Sequence, residues 1–403
     1  MKRIPIISFL PLAGALFLAS CFGDEPANAE CDIERIWVHA DAPEAMFFHP
    51  YDTLQTVPSS ESAIQFQTRY DVVVGRLPLF MVVTPGADVF RMDALNGREV
   101  PFVSGDLVDF SGGQTVTFRV RSESGEYHRD YAVSVVPRTR NGGDLYFTFD
   151  DYYRLDERGN FYEWHEPNAP VSPWWSTGNP GYRLSVSSAK PLEYPTCPEE
   201  GTGVDGKNCV RLTTSDTKGF GAMVNMRIAA GNLFVGTFDV ANALRNALAA
   251  TQMGHPFAHK PVKMTGYYKY RPGATKQDRM GKPLTGETDY PDFYLAVYRN
   301  VDAQGNRIQM DGNILETDPQ KNPHAAAMVG TARISREDIV MNASEWTKFE
   351  LPVVYTAELS REDVENECYS IAVVFTSSND GGNFSGAVGS TLWIDNVTIE
   401  CEY

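Results

Sequence analysis

The amino-acid sequence predicts an all-β protein built as two β-sandwiches, of which the second is larger. Short alternating apolar and polar runs recur between turns rich in Gly, Pro, Asn and Asp. The 6 Trp, 19 Tyr and 22 Phe residues favour strands. A length of 403 residues suits two or three domains of about 100–200 residues each. One helix is predicted, with Asp239 as its cap and Gly254 as its end.

The charge balance argues against nucleic-acid binding. The chain has 35 Lys and Arg against 52 Asp and Glu, a formal net charge of −17. A nucleic-acid-binding surface needs a basic footprint that displaces phosphate counterions, so no nucleic-acid partner is expected. The hydrophobic fraction of 42% also excludes a disordered acidic protein.

Residues 1–20 have the order of a secretory signal peptide, with Lys2 and Arg3 before an apolar run and small residues before Cys21. Residues 18–21 resemble the lipobox of bacterial lipoproteins, which implies lipidation of Cys21 and an outer-membrane anchor. The acidic pair at residues 24–25 resembles a surface-export signal of such lipoproteins. The alternative is an ordinary secretion signal with a chance cysteine. Residues 21–31 are expected to be a tether.

Residues 32–137 are expected to form the first sandwich. Alternating runs at residues 115–121 and 131–135 flank a turn and predict a hairpin with one buried face. Residues 107–111 followed by this hairpin resemble the immunoglobulin-like modules at the front of many outer-membrane lipoproteins, which implies a spacer role. The segment around Gly142 and Gly143 marks the domain boundary.

Residues 144–403 are expected to form the second sandwich. Many strands with long loops are typical of a jelly roll. The predicted strands cover residues 264–270, 293–298, 326–334, 347–354, 371–376 and 392–399.

Three segments of this second domain, residues 174–181, 266–273 and 377–397, resemble motifs of the putative carbohydrate metabolism domain family. These are lipoproteins of glycan-degrading bacteria, and the resemblance covers most of residues 144–403. It implies a jelly roll similar to carbohydrate-binding modules. It carries over no catalytic residue.

Glycan binding is the predicted function of the second domain. A sugar presents an apolar face to aromatic rings and hydroxyls to polar side chains. The expected ligand is a polysaccharide or oligosaccharide, with glycan-uptake machinery as a further partner. The candidate residues are Trp164, Trp174, Trp175, Tyr182 and Tyr268 for stacking, and Glu163, Asn179 and Arg271 for polar contacts.

Packing in the core is the alternative for these rings. Neighbours in an extended chain point to opposite faces, so at least one of Trp174 and Trp175 is expected to be buried. For Arg271 the alternative is a solvated strand end.

Two other functions remain open from the sequence. A glycoside hydrolase or lyase on the same fold needs two facing carboxyl groups. The candidates for these are Asp150, Asp151, Glu163, Asp292 and Glu316. A structural or adhesive surface lipoprotein is the other alternative. No nucleophile elbow, metalloprotease motif or phosphate-binding loop occurs in the sequence.

A structural calcium ion is implied by similarity to carbohydrate-binding jelly rolls, whose last strand carries an Asp that shares the ion with an acid of the first strand. Here the candidates are Asp395 and, on the first strand, Asp150 or Asp151. The alternative is that Asp395 caps a turn or pairs with a cation.

Two disulfides are predicted, on the basis of an exported chain. Cys197 and Cys209 flank a short loop. Cys368 and Cys401 would meet if the strands that follow and precede them formed a hairpin. Cys31 is then left over.

Overall fold

A computed structural model describes residues 27–402 except 60, 71, 139–142, 167–168, 172 and 244–245. The predicted signal peptide and the predicted lipidation site Cys21 lie outside these residues. No helix among the described residues is long and apolar enough to cross a membrane. The chain divides into two compact units, and the division follows Pro137.

Strands of the N-terminal unit bury one face each, because apolar residues alternate along them. In the strand Arg76–Val83, for example, the alternate residues Leu77, Leu79 and Met81 are buried. The strands are β1 (Ile33–Val38), β2 (Leu54–Thr56), β3 (Ala63–Thr68), β4 (Arg76–Val83), β5 (Asp88–Met92), β6 (Glu99–Pro101), β7 (Leu107–Asp109), β8 (Val116–Arg121) and β9 (His128–Pro137), with helix α1 at Pro43–Met46.

These strands form a four-stranded sheet, β2-β1-β4-β7, and a five-stranded sheet, β3-β9-β8-β5-β6. One apolar core contains Ile36 and Leu79 of the first sheet and Phe66 and Phe118 of the second, so the unit is a β-sandwich. β8 and β9 pair antiparallel, which confirms the predicted hairpin. The immunoglobulin-like assignment stays a prediction.

The C-terminal unit is also built from strands. They are β10 (Leu145–Phe147), β11 (Tyr153–Leu155), β12 (Tyr162–Trp164), β13 (Trp175–Ser176), β14 (Thr196–Glu199), β15 (Cys209–Thr213), β16 (Ser215–Asp216), β17 (Ile228–Ala229), β18 (Asn232–Phe238), β19 (Thr251–Met253), β20 (His255–Pro256), β21 (Lys260–Arg271), β22 (Lys276–Gln277), β23 (Asp292–Arg299), β24 (Met328–Arg333), β25 (Thr347–Pro352), β26 (Val354–Tyr355), β27 (Tyr369–Thr376), β28 (Gly386–Ala387) and β29 (Thr391–Glu402). The α-helices are α2 (Asn179–Ser185), α3 (Lys218–Met223), α4 (Ala247–Ala250) and α5 (Arg361–Glu365). Single 3₁₀ turns lie at Pro50–Thr53 and Ser111–Gly113 in the first unit, and at Pro191–Glu193, Ala325–Ala327, Arg336–Asp338 and Gly381–Asn383 in the second.

Two antiparallel sheets pack face to face in this unit. The six-stranded sheet has the order β14-β15-β29-β21-β25, with β10 paired to β29. The eight-stranded sheet has the order β13-β18-β27-β23-β24-β26, with β19 on β18 and β20 on β27. Leu392 and Ile394 of the first sheet share one core with Leu295 and Val373 of the second. The predicted all-β sandwich is therefore confirmed.

The predicted long helix is wrong. Asp239 accepts a hydrogen bond from the Ala241 amide, as a cap would, but only a turn follows. The helix α4 is a single turn, capped by the Asn246 side chain, which accepts from the Ala249 amide. The chain then enters β19, because Thr251 to Met253 pair with β18.

Both predicted disulfides are wrong. In the β14–β15 register, Cys197 lies opposite Arg211 and Cys209 opposite Glu199, so the two cysteines are diagonal neighbours. Diagonal Cα separations of about 7–8 Å exceed what a disulfide usually spans. Cys197, Cys209 and Cys401 carry free thiols in the described structure. The segment after Cys368 is β27, in the eight-stranded sheet, whereas Cys401 lies on β29 in the other sheet, so the assumed hairpin does not form.

Candidate functional site

A cleft of about 450 Å³ lies on the outer face of the eight-stranded sheet. Its floor is formed by side chains of paired strands, because directly opposite residues of an antiparallel pair project from the same face of the sheet. Phe234, Val374, Tyr294 and Arg333 form one row across β18, β27, β23 and β24. Their chain neighbours Leu233, Val373, Phe293 and Leu295 point into the sandwich core. We call this cavity the Asp292 cleft, after the acid at its edge.

The walls of the Asp292 cleft lie outside the strands. They are formed by Gly178, Gly181 and Tyr182 at the start of α2 and by segments within residues 312–316 and 378–384. The cleft size falls within the range of about 300–1,000 Å³ that is typical of small-ligand sites.

Asp289 anchors the loop that contains residues 378–384. Its Oδ2 accepts hydrogen bonds from Ser378 Oγ at 2.6 Å, the Ala387 amide at 2.8 Å and Ser390 Oγ at 2.7 Å. A Cβ on Gly386 would lie 2.5 Å from Ser378 Oγ, so glycine is needed where the loop closes on itself. This buried carboxylate therefore fixes one wall of the cleft.

Asp292 and Arg333 supply the principal charges of the cleft. Arg333 Nε and Nη2 donate to the two oxygens of Asp292 at 3.0 and 2.7 Å. The Asp292 side chain is 8% exposed and that of Arg333 50%. Burial raises the pKa of Asp292, and the hydrogen bonds from Arg333 oppose that rise. The result is a half-exposed guanidinium held rigidly over a buried carboxylate.

Glu316 is a second carboxylate in the same cleft. Its pKa is lowered by hydrogen bonds from the Asp318 amide and from Lys321, whose Nζ is 3.1 Å from Oε2. The pKa values of these two acids are thus shifted in opposite directions, upward for Asp292 and downward for Glu316.

Aromatic rings supply the apolar surface of the cleft. Tyr182, Phe234 and Tyr294 are buried in its lining, whereas Phe384 is partly exposed. Phe384 has φ +58°, in the left-handed region that bulky residues avoid. Arg279 lies 6.0 Å from its ring centroid. Strain of this kind concentrates at ligand-binding sites, so the placement of this ring is a functional indication.

Comparisons with known proteins agree with this architecture. The family model described as "Putative carbohydrate metabolism domain" matches residues 148–400. The chain belongs to this family. The resemblance found in the sequence is therefore confirmed.

Two solved structures are similar to this member of the carbohydrate metabolism domain family. One is described as a putative glycoside hydrolase from Bacteroides thetaiotaomicron VPI-5482; it is 31% identical with a TM-score of 0.73, over 94% of this chain and 99% of that chain. The other, a putative glycoside hydrolase from Bacteroides vulgatus ATCC 8482, is 33% identical with a TM-score of 0.56, over 64% of this chain and 98% of that chain. No curated protein matches the sequence.

The three tryptophans predicted to stack on sugar lie in the core of the family domain. Trp164, Trp174 and Trp175 are 1%, 0% and 2% exposed. Trp175 lies opposite Val235 in the β13–β18 pairing, and Trp174 packs near His255 and Phe257. Rings buried in this way offer no face to a sugar, so the predicted stacking role is wrong for them. The expected burial of at least one of Trp174 and Trp175 is confirmed.

Two further predicted contacts are also internal. Tyr268 is buried in the core, and its hydroxyl accepts a hydrogen bond from the Val340 amide. Asn179 is fully buried, and its amide exchanges hydrogen bonds with the Thr196 backbone at 2.7 and 3.1 Å. Because these groups are used inside the protein, the predicted glycan contacts of both residues are wrong.

The remaining predicted residues lie in three places. Tyr182 lines the Asp292 cleft at 7% exposure. Glu163 lies on β12, 3.6 Å from His165, and does not line this cleft. Arg271 is exposed at the end of β21, beside Trp393 on the neighbouring strand β29 of the six-stranded sheet. Their roles in binding stay predictions.

The two acids of the predicted calcium pair, Asp150 and Asp395, contact other groups of the protein. Asp395 accepts from the Val204 and Asn396 amides at 2.6 and 2.8 Å, and burial raises its pKa to about 6, with a further rise from Asp150. Lys207 Nζ is 2.9 Å from Asp150 Oδ2, where a cation would bind. Within the described residues, no group of three or more His, Cys, Asp or Glu could hold a metal ion. Calcium at this pair stays a prediction.

Sequence reasoning missed Arg333, Phe384 and the anchoring role of Asp289. One signal was available, since β23 and β27 are apolar at consecutive positions instead of alternating. Such strands are covered on both faces. This pattern could have placed a covered cavity on the outer face of the eight-stranded sheet.

Proposed function

We propose that this protein binds a glycan in the Asp292 cleft. The observation that carries the proposal is that the Asp292–Arg333 pair and the Phe384 ring line the same cavity. Sugar recognition needs this combination, because a ring covers the apolar sugar face while charged groups bind hydroxyls. Membership of the carbohydrate metabolism domain family supports the same ligand class.

The Arg333 guanidinium is suited to hydroxyl recognition. Two of its N–H groups are fixed on Asp292, and a guanidinium has five in all, so others remain for ligand oxygens. The fixed geometry reduces the conformational entropy lost on binding.

A full-length glycan array tests this proposal. The parent should bind at least one glycan, and Phe384→Gly, which removes the ring and suits the left-handed backbone, should abolish that signal. Tyr146→Ala is the matched control, since Tyr146 is an exposed ring outside the cleft. Loss of the signal in both variants, or in neither, would contradict the assignment.

Glycoside hydrolysis is a second candidate, supported by one observation. Asp292 and Glu316 line the same cleft with pKa values shifted apart, as an acid and base pair requires. The two similar structures are described as putative glycoside hydrolases. Against this role, both oxygens of Asp292 accept from Arg333, and these bonds favour the ionised carboxylate over the protonated form that a general acid needs. A reducing-sugar assay on the array-positive glycan separates the two functions: release that stops in Glu316→Gln would establish hydrolysis.

A structural or adhesive role has the burial of Trp164, Trp174 and Trp175 in its favour. It leaves the Asp292 cleft unexplained, so binding is preferred.

We also propose that the protein is a lipid-anchored outer-membrane lipoprotein exposed at the cell surface, where it would supply glycan to uptake machinery. The lipobox-like residues 18–21 support this location. Labelling of cells with a fatty acid should mark the parent but not Cys21→Ala, and external protease should digest the parent on intact cells. An unlabelled parent would contradict the anchor.

A further inference from the structure

A second cleft, of about 430 Å³, lies on the outer face of the six-stranded sheet. As in the Asp292 cleft, the pairing of neighbouring strands places its side chains next to each other on one face of the sheet. Arg211 on β15, Trp393 on β29 and Lys269 on β21 lie side by side. Arg271, two residues beyond Lys269, shares this face because side chains alternate along a strand. We call it the Trp393 cleft.

Cations hold the Trp393 indole in place. Lys269 Nζ lies 5.6 Å from the Trp393 ring centroid and 4.4 Å from that of Trp346. Arg271 Cζ lies 5.8 Å from the Trp393 centroid. Such contacts are attractive, because the face of an indole carries negative charge density.

Two buried donors at this cleft have no acceptor. Trp393 is 8% exposed, and its Nε1 has no hydrogen-bond partner among the described residues. The same holds for Arg211 Nε, although the other nitrogens of that guanidinium bond Glu199, the Leu192 carbonyl and Cys197. Both atoms are hydrogen-bond donors only, so a ligand that bonds to them must carry acceptor oxygens. An unmet buried donor costs free energy that such a ligand would recover.

Arg271 adds a positive charge to the lining of the cleft. It is exposed, and none of the ion pairs of the described residues neutralises it. The cleft also contains two acids. Glu199 is paired with Arg211 at 3.3 Å, and Glu193 accepts from the Lys190 amide at 2.8 Å. The Arg271 guanidinium, which contacts the Trp393 ring, therefore stands beside two unmet donors and shares the lining with the Glu193 carboxylate.

We propose that the Trp393 cleft is a second glycan subsite, selective for a sugar that carries a carboxylate, a uronic acid. Arg271 would bind the carboxylate by paired hydrogen bonds. Trp393 Nε1 and Arg211 Nε would donate to ring or hydroxyl oxygens. This subsite lies on the other sheet from the Asp292 cleft, and its ligand class does not depend on the function proposed for that cleft.

Calorimetric titration of the full chain tests the subsite. The probes are trimers of galacturonic acid and of glucuronic acid, with a galactose trimer as the neutral comparison. We expect at least one uronate trimer to bind more tightly than the galactose trimer. Affinity should fall as sodium chloride rises from about 50 to about 500 mM, since the contact is ionic.

Variants locate the binding. Arg271→Gln should weaken uronate binding about tenfold, the loss expected for a charge-assisted pair. Trp393→Phe, which keeps a ring but removes the N–H, should weaken it with little change in thermal stability. Arg336→Gln is the matched control, because Arg336 is exposed and stacked 4.7 Å from Tyr290.

Phe384→Gly separates the two clefts. It should leave uronate binding unchanged, even if the Asp292 cleft proves to bind nothing. Equal affinity for charged and neutral trimers, no uronate binding, or full affinity in Arg271→Gln would overturn the proposal.

Discussion

Arg333, on the adjacent strand, donates hydrogen bonds to both carboxylate oxygens of Asp292, at 3.0 and 2.7 Å. Tyr294 lies directly opposite Arg333, so the guanidinium must reach two residues along β23 to Asp292. The pair closes one edge of the cleft and leaves the arginine half exposed. Two donors are thereby supplied to a buried carboxyl group at the edge of a largely apolar floor.

Arg333→Ala should destabilise the protein by about 1–3 kcal/mol, because the buried Asp292 loses its paired donors. The loss should be larger at about pH 8 than at about pH 4, since burial already raises the pKa of Asp292 and a protonated carboxyl needs no cation. Urea unfolding measures both values. The double variant Asp292→Asn with Arg333→Ala should recover part of the loss, and an equal loss at both pH values would contradict the ionic account.

Asp289→Ala should destabilise the protein by about 2–4 kcal/mol, since three donors lose one buried acceptor oxygen. Glycan affinity should fall as well, because the wall that carries Phe384 loses its anchor. Asp302→Ala is a control, as Asp302 holds an exposed turn through Gln304 and Asn306. Hydrogen exchange would report the change: faster exchange at residues 378–390 is expected in Asp289→Ala alone.

Ionisation of the Glu166 side chain should lower the free energy of unfolding as the pH rises. Glu166 is 5% exposed, and burial raises its pKa to about 7. The folded state therefore favours the protonated form, and its ionisation costs stability between about pH 4.5 and about pH 7. Glu166→Gln should be more stable than the parent by on the order of 1–3 kcal/mol at about pH 8 and equal at about pH 4.

Glu163→Gln is the control for that pH series, since its side chain is 44% exposed. The difference in stability between Glu163→Gln and the parent at about pH 8 should be smaller than that for Glu166→Gln. A Glu166→Gln curve that keeps the slope of the parent would show that another group titrates.

Calcium binding at Asp150 and Asp395 is testable through Lys207. The ammonium of Lys207 occupies the cation position at Asp150, so Lys207→Met should bind calcium more tightly than the parent. Calorimetric titration with calcium chloride measures the difference, and Asp395→Asn should abolish it. If neither the parent nor Lys207→Met takes up calcium, the prediction is wrong.

Strands were predictable because their hydrophobic pattern is local. The predicted run at residues 371–376 lies within β27, and that at residues 392–399 lies within β29. Their partners were not predictable, because each strand pairs with segments far away in the chain. The error over Cys368 and Cys401 came from assuming that sequence neighbours pair.

The site was harder to predict than the fold. Trp174 and Trp175 were candidates for sugar stacking, yet the folded domain buries both rings. Arg333 and Asp292 are 41 residues apart and meet only through the β23–β24 register. The position of the Phe384 ring depends on a left-handed backbone conformation, which the sequence alone does not reveal. Residues brought together by register and loop closure carry no local signal.

A crystal structure of the protein with its array-positive glycan tests the central claim most directly. The account predicts a sugar ring in the Asp292 cleft, packed within about 4.5 Å of the Phe384 side chain, with a hydroxyl hydrogen-bonded to Arg333. A glycan bound elsewhere, with the Asp292 cleft empty, would contradict it.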